Sequence, residues 1–210
     1  MPKLRTISKN PPSKNFYIVD ANFLANKYIP LHRINNSREK LMVEKSQEWW
    51  REIDAQIRTH KALVYIPDVC IAEAFKVLAK KYYRDKYFLR AHEYVAARAR
   101  LSKFIHIDPR TLKGSDRKIK VHDISTSRDI IIAVDRFYEF FAKKNLDVSI
   151  PDLIILATAK YVIDFFNVPM ESLFIVTLDT NLWKGTKKLA DVPSAFNPIK
   201  PSEASSRVFR

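Results

Sequence analysis

Four acidic residues stand where a fold can bring oxygen ligands together: Asp20, Glu73, Asp152 and Asp179. Asp20 and Asp179 each follow a short apolar run, Phe16-Tyr17-Ile18-Val19 and Leu173-Phe174-Ile175-Val176-Thr177-Leu178. Asp152 lies behind Ser149-Ile150-Pro151 in the first turn of a segment that is apolar nearly all round, and Glu73 sits a few residues behind Pro67. The chemistry open to such a set is that of a hard divalent cation. Magnesium prefers oxygen ligands, takes one or two carboxylates and keeps waters for itself and its substrate. One or two such ions polarise a phosphodiester, activate a water and stabilise the leaving oxygen. Each acid also has a structural alternative: Asp20 as a turn cap, Asp152 as a favourable charge at a helix start, Asp179 as an N-cap. Glu73 can be a solvated partner of Lys76, because Ile71, Phe75, Leu78 and Tyr82 form an apolar stripe that leaves it nearly opposite on a helical wheel.

The elements that must position these acids are legible as apolar runs. The pattern predicts strands at Phe16–Asp20, Ala62–Pro67, Phe104–Pro109 and Leu173–Asp179. It predicts helices around Glu44–Ile57, from Asp68 on to about Arg100, over Ser127–Leu146 and from Pro151 to Phe166. Short apolar strands alternating with helices argue for a central, mainly parallel sheet covered on both faces. In such sheets a site forms just beyond the carboxyl ends of the strands, where Asp20 and Asp179 fall. The expected organisation is a basic arm over residues 1–15, one domain over 16–184 and a loosely ordered tail over 185–210, rich in Pro, Ser and Lys.

Composition limits the partner and excludes several classes. The 210 residues carry 37 basic and 23 acidic side chains, a formal charge of +14 and a pI near 9.8. That excess points to a polyanionic partner, most simply nucleic acid. Only Gly114 and Gly185 are present, so no glycine-rich phosphate loop or dinucleotide fingerprint exists. Cys70 is the single cysteine, which excludes a disulfide framework and a Cys-rich zinc site. No signal-peptide core and no apolar run of bilayer length is present, so the expected location is cytoplasmic, away from membranes. His32, His60, His92, His106 and His122 show no ligand spacing. Trp49-Trp50 cannot share one helix face, so one is expected to pack inward and the other to be free to meet a partner. Arg84, Lys86, Arg90, Arg98, Arg100 and Lys103, interleaved with Tyr82, Tyr83, Tyr87 and Tyr94, suit either a backbone-tracking surface with stacking platforms or a solvated amphipathic helix.

Taken in order, these residues resemble a known family. Asp20-Ala21-Asn22-Phe23-Leu24 resembles the D-x-N-x-L opening of PIN domains, and Ile71-Ala72-Glu73-Ala74-Phe75 resembles their acid-bearing helix start. Pro151-Asp152-Leu153-Ile154-Ile155-Leu156-Ala157-Thr158-Ala159 is similar to their D-x-x-I-x-A-x-A helix, and Val176-Thr177-Leu178-Asp179 to their final T-x-D. The resemblance covers roughly residues 16 to 184. It implies a PIN-like three-layer α/β/α sandwich, Mg²⁺ or Mn²⁺ at Asp20, Glu73, Asp152 and Asp179, and cleavage of RNA. The best-populated branch, the toxin ribonucleases of bacterial toxin–antitoxin pairs, further implies an antitoxin protein and a homodimer. Thr177 is the candidate to orient the attacking water, and Asn22 to buttress Asp20. A haloacid-dehalogenase-type phosphatase wants a second Asp where this chain has Asn22, and a flap nuclease leans on glycines this chain lacks. The main non-enzyme alternative is a catalytically silent PIN-like module that binds RNA or protein. A last expectation concerns stability: crowded carboxylates repel, so Asp20→Asn should raise the metal-free melting temperature.

Overall fold

A computed structural model describes residues 14–106, 120–200 and 208–209. The strands are β1 (Asn15–Val19), β2 (Ala62–Pro67), β3 (Val121–Ile124), β4 (Leu173–Val176) and β5 (Ala195–Phe196). The helices are α1 (Ala21–Asn26), α2 (Ser37–Arg58), α3 (Asp68–Tyr83), α4 (Ala91–Ile105), α5 (Arg128–Lys143), α6 (Ile150–Phe166) and α7 (Thr180–Thr186). All strand pairs are parallel, in the order β3-β2-β1-β4-β5.

β1 lies at the centre, and its residues Tyr17, Ile18 and Val19 are fully buried on both faces, which is why its sequence reads as a continuous apolar run. From β1 the chain moves outward through β2 to β3, then returns to the other side of β1 for β4 and β5. The strand order therefore reverses between β1 and β4, and the crevice beyond their carboxyl ends is where open α/β sheets bind ligands. α6 packs on β1, β2 and β4, while α2 and α3 lie against β2 and α4 against β3. With helices over both faces, the molecule is a three-layer α/β/α sandwich. No helix among the described residues is long and apolar enough to cross a membrane.

Several sequence expectations change here. Phe104 and Ile105 are not strand residues but the last turn of α4, where Phe104 meets Trp50 edge-on at 5.4 Å; residues 107–109 lie outside the described residues. The third strand is instead Val121-His122-Asp123-Ile124, four residues on the sheet edge with only Val121 and Ile124 buried. The helix after β2 breaks at Tyr83 and resumes at Ala91. Residues 185–200 are not a loose tail: Gly185 lies inside α7, against Phe141 of α5, and Ala195–Phe196 adds the fifth strand. Of the basic arm, residues 1–13 lie outside the described residues, and β1 begins at Asn15. Both tryptophans are buried. Trp50 stacks on Phe23 at 4.9 Å and donates its indole N–H to the Phe23 carbonyl, while Trp49 meets Phe209 at 5.0 Å. The side of α2 that the sequence leaves free is thus covered by the chain's last residues.

Candidate functional site

Asp20 is placed by the sheet before it is placed by any ligand. Its backbone N–H donates to the Val176 carbonyl at 3.0 Å, continuing the β1–β4 ladder by one residue. Its side chain is 4% exposed and accepts three hydrogen bonds: Phe23 N–H on Oδ1 at 2.6 Å, Thr177 O–H on Oδ2 at 2.6 Å and Leu178 N–H on Oδ2 at 2.8 Å. A carboxylate has about four acceptor positions, so one remains open. Burial raises the pKa of this carboxyl against the three hydrogen bonds that hold it down, and the neighbouring charge of Asp179 adds to the rise.

The other acids arrive from different junctions. Asp179 is the N-cap of α7, accepting Leu182 N–H at 2.6 Å. Asp152 stands in the first turn of α6, behind the N-cap Ser149 and Pro151, a favoured arrangement for starting a helix. The Ser149 hydroxyl donates to Asp152 Oδ2, and Asp152 N–H points back at Ser149 Oγ. Burial lifts the Asp152 pKa to about 6, opposed by the Ser149 hydrogen bond and reinforced by the charges of Asp179 and Asp20. Glu73 sits half-buried on α3. The buried stripe of that helix is Cys70, Ala74 and Leu78, one residue round from the expected one. Glu73 therefore shares a face with Cys70, three residues before it, and borders the crevice instead of opposing the core.

All four acids line one cavity of about 310 Å³, together with Asn22, Met42, Ser149 and Ile155. The fully buried Cys70 thiol registers the same convergence: burial pushes its pKa well up, and the charges of Asp20, Glu73 and Asp152 push it further. Within this cavity the carboxylates of Asp20, Asp152 and Asp179 are turned to protein donors. Among the described residues no three His, Cys, Asp or Glu side chains stand close enough to enclose an ion. The donor set nonetheless fits a hard cation, because it is all oxygen, mutually repelling and without a lysine or arginine in the lining.

Two further residues act differently from expectation. Thr177 is fully buried; its hydroxyl hydrogen goes to Asp20 and its oxygen accepts Asp179 N–H at 2.9 Å. It positions two acids and has no proton left with which to orient a water. Asn22 lies exposed on the cavity wall, and the groups that hold Asp20 are Phe23, Thr177 and Leu178. Ser149 was not singled out from the sequence, although its spacing from Asp152, S-x-x-D, is a capping-box signal that identifies it. The stability expectation for Asp20→Asn also reverses. An amide in place of either oxygen would present an NH₂ to a backbone N–H, of Phe23 or of Leu178, leaving a buried donor unpaired.

No protein-family model and no curated protein matches this sequence. Solved structures do. VapBC2 from Rickettsia felis, bound to a DNA fragment from its promoter, aligns with a TM-score of 0.51 and 12% identity, over 87% of this chain and 98% of that one. FitAB bound to an IR36 DNA fragment aligns with a TM-score of 0.54 and 16% identity, over 90% and 99%. FitAcB from Neisseria gonorrhoeae aligns with a TM-score of 0.50 and 19% identity, over 87% and 97%. Likeness of this degree, end to end and at low identity, is a likeness of fold. The all-parallel five-stranded sheet with its flanking helices is the PIN-like three-layer α/β/α fold that the motifs resemble.

Proposed function

We propose that this chain is a metal-dependent endoribonuclease of the PIN class, hydrolysing RNA phosphodiester bonds in the crevice between β1 and β4. The observation that carries this reading is the meeting of Asp20, Glu73, Asp152 and Asp179, from four separate element junctions, on one cavity where the strand order reverses. Asp20, Asp152 and Asp179 would hold Mg²⁺ or Mn²⁺, with Glu73 a ligand directly or through water. A bound ion there supplies positive charge to the scissile phosphate and to a ligated water. The chain's own residues prepare for it. Asp20 is held by three donors with one acceptor position open. Asp152 keeps Oδ1 clear of the hydrogen bond that Ser149 makes to Oδ2. Thr177 keeps Asp20 and the start of α7 at fixed separation. The surplus of +14 supplies affinity for the RNA backbone independently of the acids.

The likeness to VapBC2, FitAB and FitAcB supports a narrower reading, in which the chain is the toxin of a toxin–antitoxin pair and acts in the cytoplasm with a small antitoxin as partner. The test is cleavage of labelled RNA by purified protein with Mg²⁺ or Mn²⁺, stopped by EDTA and lost in Asp152→Asn and Asp179→Asn. Equal cleavage by wild type and both variants overturns the proposal.

One observation favours a second reading, a catalytically silent PIN-like module that binds RNA or protein. Asp20 and Asp179 already act as helix caps, and among the described residues no three acids enclose an ion. A ligand that binds only the folded state raises its stability. Mn²⁺ or Mg²⁺ that leaves the melting temperature unchanged at millimolar concentration supports the silent module.

A further inference from the structure

A second, larger cavity of about 590 Å³ opens at the other end of α1. Its wall comes from the residues after that helix, from Phe88 and from one side of α4 between His92 and Arg100. What distinguishes it is a surplus of donors. The Tyr28 hydroxyl is buried and has no hydrogen-bond partner. His32, His92 and Arg100 stand exposed on the same wall, with Arg100 near enough to Tyr28, and His92 to Glu93, for their charges to be felt there. Lys27 is committed elsewhere: its ammonium bonds both oxygens of Asp54 and lies over the Trp50 and Phe104 rings. The wall holds one carboxylate, Glu93, whose Oε2 accepts Leu89 N–H at 2.9 Å and whose charge is felt by His92. The rest is apolar, from Ile29, Pro30 and Phe88.

A buried hydroxyl without a partner, beside two exposed imidazoles and an exposed guanidinium, suits a ligand rich in acceptors and negative charge, and the apolar wall suits a flat, weakly polar body beside it. Phosphate joined to a sugar and base has both, and the volume is in the range of small-ligand sites. α1 also connects this cavity to the acidic one. Asn22 lines the first and Lys27 the second, five residues or about 7–8 Å along a helix.

We propose that this cavity binds one nucleotide of the RNA strand that the acidic crevice cleaves. Arg100, His32, His92 and the Tyr28 hydroxyl take its phosphate, and Ile29, Pro30 and Phe88 take its base or sugar. The proposal rests on the ribonuclease reading and is tested apart from it. Metal-free protein in EDTA is titrated with 5′-AMP and with a labelled hexaribonucleotide, following the imidazole proton resonances of His32 and His92, assigned through His32→Gln and His92→Gln. Both ligands should shift both resonances saturably. Arg100→Ala should weaken each by about tenfold and lower the salt dependence of hexamer binding by about one charge. Tyr28→Phe, which removes an unpartnered hydroxyl and should fold as wild type, should weaken them severalfold. The proposal is overturned by a hexamer that binds while both resonances stay still and Arg100→Ala binds as wild type, or by no binding of either ligand. An N-acetylated acidic hexapeptide that shifts both resonances where 5′-AMP does not overturns it too. Cleavage with Mn²⁺ is read on the same samples. Cleavage without the shifts removes only this subsite, and shifts without cleavage remove only the nuclease reading.

Discussion

The two cavities at the ends of α1 are electrostatic opposites. At one end, carboxylates from four junctions line one cavity with no cationic side chain in the lining. At the other, a guanidinium, two imidazoles and a phenol share a wall with a single carboxylate, Glu93. Charged residues of a folded chain ordinarily find partners within it. Here the six residues of α1 separate a group of carboxylates from a group of cationic and hydroxyl donors, and neither set is paired with the other. The difference teaches where each missing partner comes from. The acids want a small dense cation, the donors an extended anion, and a metal-bound phosphodiester strand brings both.

The sharpest way to break this comparison is to remove charge from one end and watch the other. Asp152→Asn should lower cleavage by about a hundredfold or more, as loss of a metal ligand does, while RNA affinity changes less than twofold. Cleavage rates and binding isotherms on the same RNA decide it, and a parallel loss of binding would mean that the acids are not separate from the RNA-holding surface. Asp20→Asn should act through the fold. It leaves one buried N–H of Phe23 or Leu178 unpaired, costing roughly 2–3 kcal/mol, or roughly 5–10 °C in melting temperature. Thermal melts in EDTA measure this, and a variant that melts as high as wild type would remove Asp20 as the anchor of the crevice.

A smaller effect comes from the opposite end. Arg100→Ala should raise KM for RNA about tenfold with kcat kept, because it removes a phosphate contact and touches no acid. Steady-state kinetics with Mn²⁺ read the split; a fall in kcat alone would make the two cavities one unit. The smallest effect is on pH. The Asp152 pKa stands at about 6 in the fold and near 3.9 when unfolded, so the folded protein binds more protons between these values. Its contribution is present in full below about pH 4 and is lost as pH rises through about 6. Metal-free stability should fall over that window by roughly 1–2 kcal/mol, after allowance for the partial exposure of this side chain to water. Asp152→Asn should flatten the slope, keeping the Ser149 hydrogen bond through the amide oxygen, and Mg²⁺ should flatten it in the wild type. Denaturant unfolding at a series of pH values follows the change.

How much of this was legible in the sequence depends on burial. β1, β2 and β4 are enclosed on both faces, so Phe16–Val19, Ala62–Pro67 and Leu173–Val176 read as unbroken apolar runs. The edge strands carry no such signal. Val121–Ile124 is interrupted by the adjacent polar residues His122 and Asp123, and Ala195–Phe196 is two residues in a Pro-rich stretch, as short edges tend to be. Phe104-Ile105-His106-Ile107 looks like a strand because it is a short run rich in β-forming apolar residues, yet Phe104 packs on Trp50 and Lys27 as a helix end. The positions of the four acids were readable because they follow strands or start helices. The work of Thr177 was not, because it depends on β4 lying beside β1. The donor-rich cavity left no pattern at all, since Tyr28 and His32, in the stretch after α1, meet His92 and Arg100 of α4 only in the folded chain.

The hydrogen bonds that fix Asp20 also set a clock. Its partners Thr177 and Leu178 stand 157 and 158 residues further along the chain. A ribosome adds about 5–20 residues each second, so the codon for Asp20 is read roughly 8 to 30 seconds before those of its partners. Until then the carboxylate has no sheet neighbour on that side, and the crevice is open. A nascent or prematurely ended chain therefore cannot hold Asp20 and Asp179 together, and the crevice closes only when the first strand meets the end of the fourth.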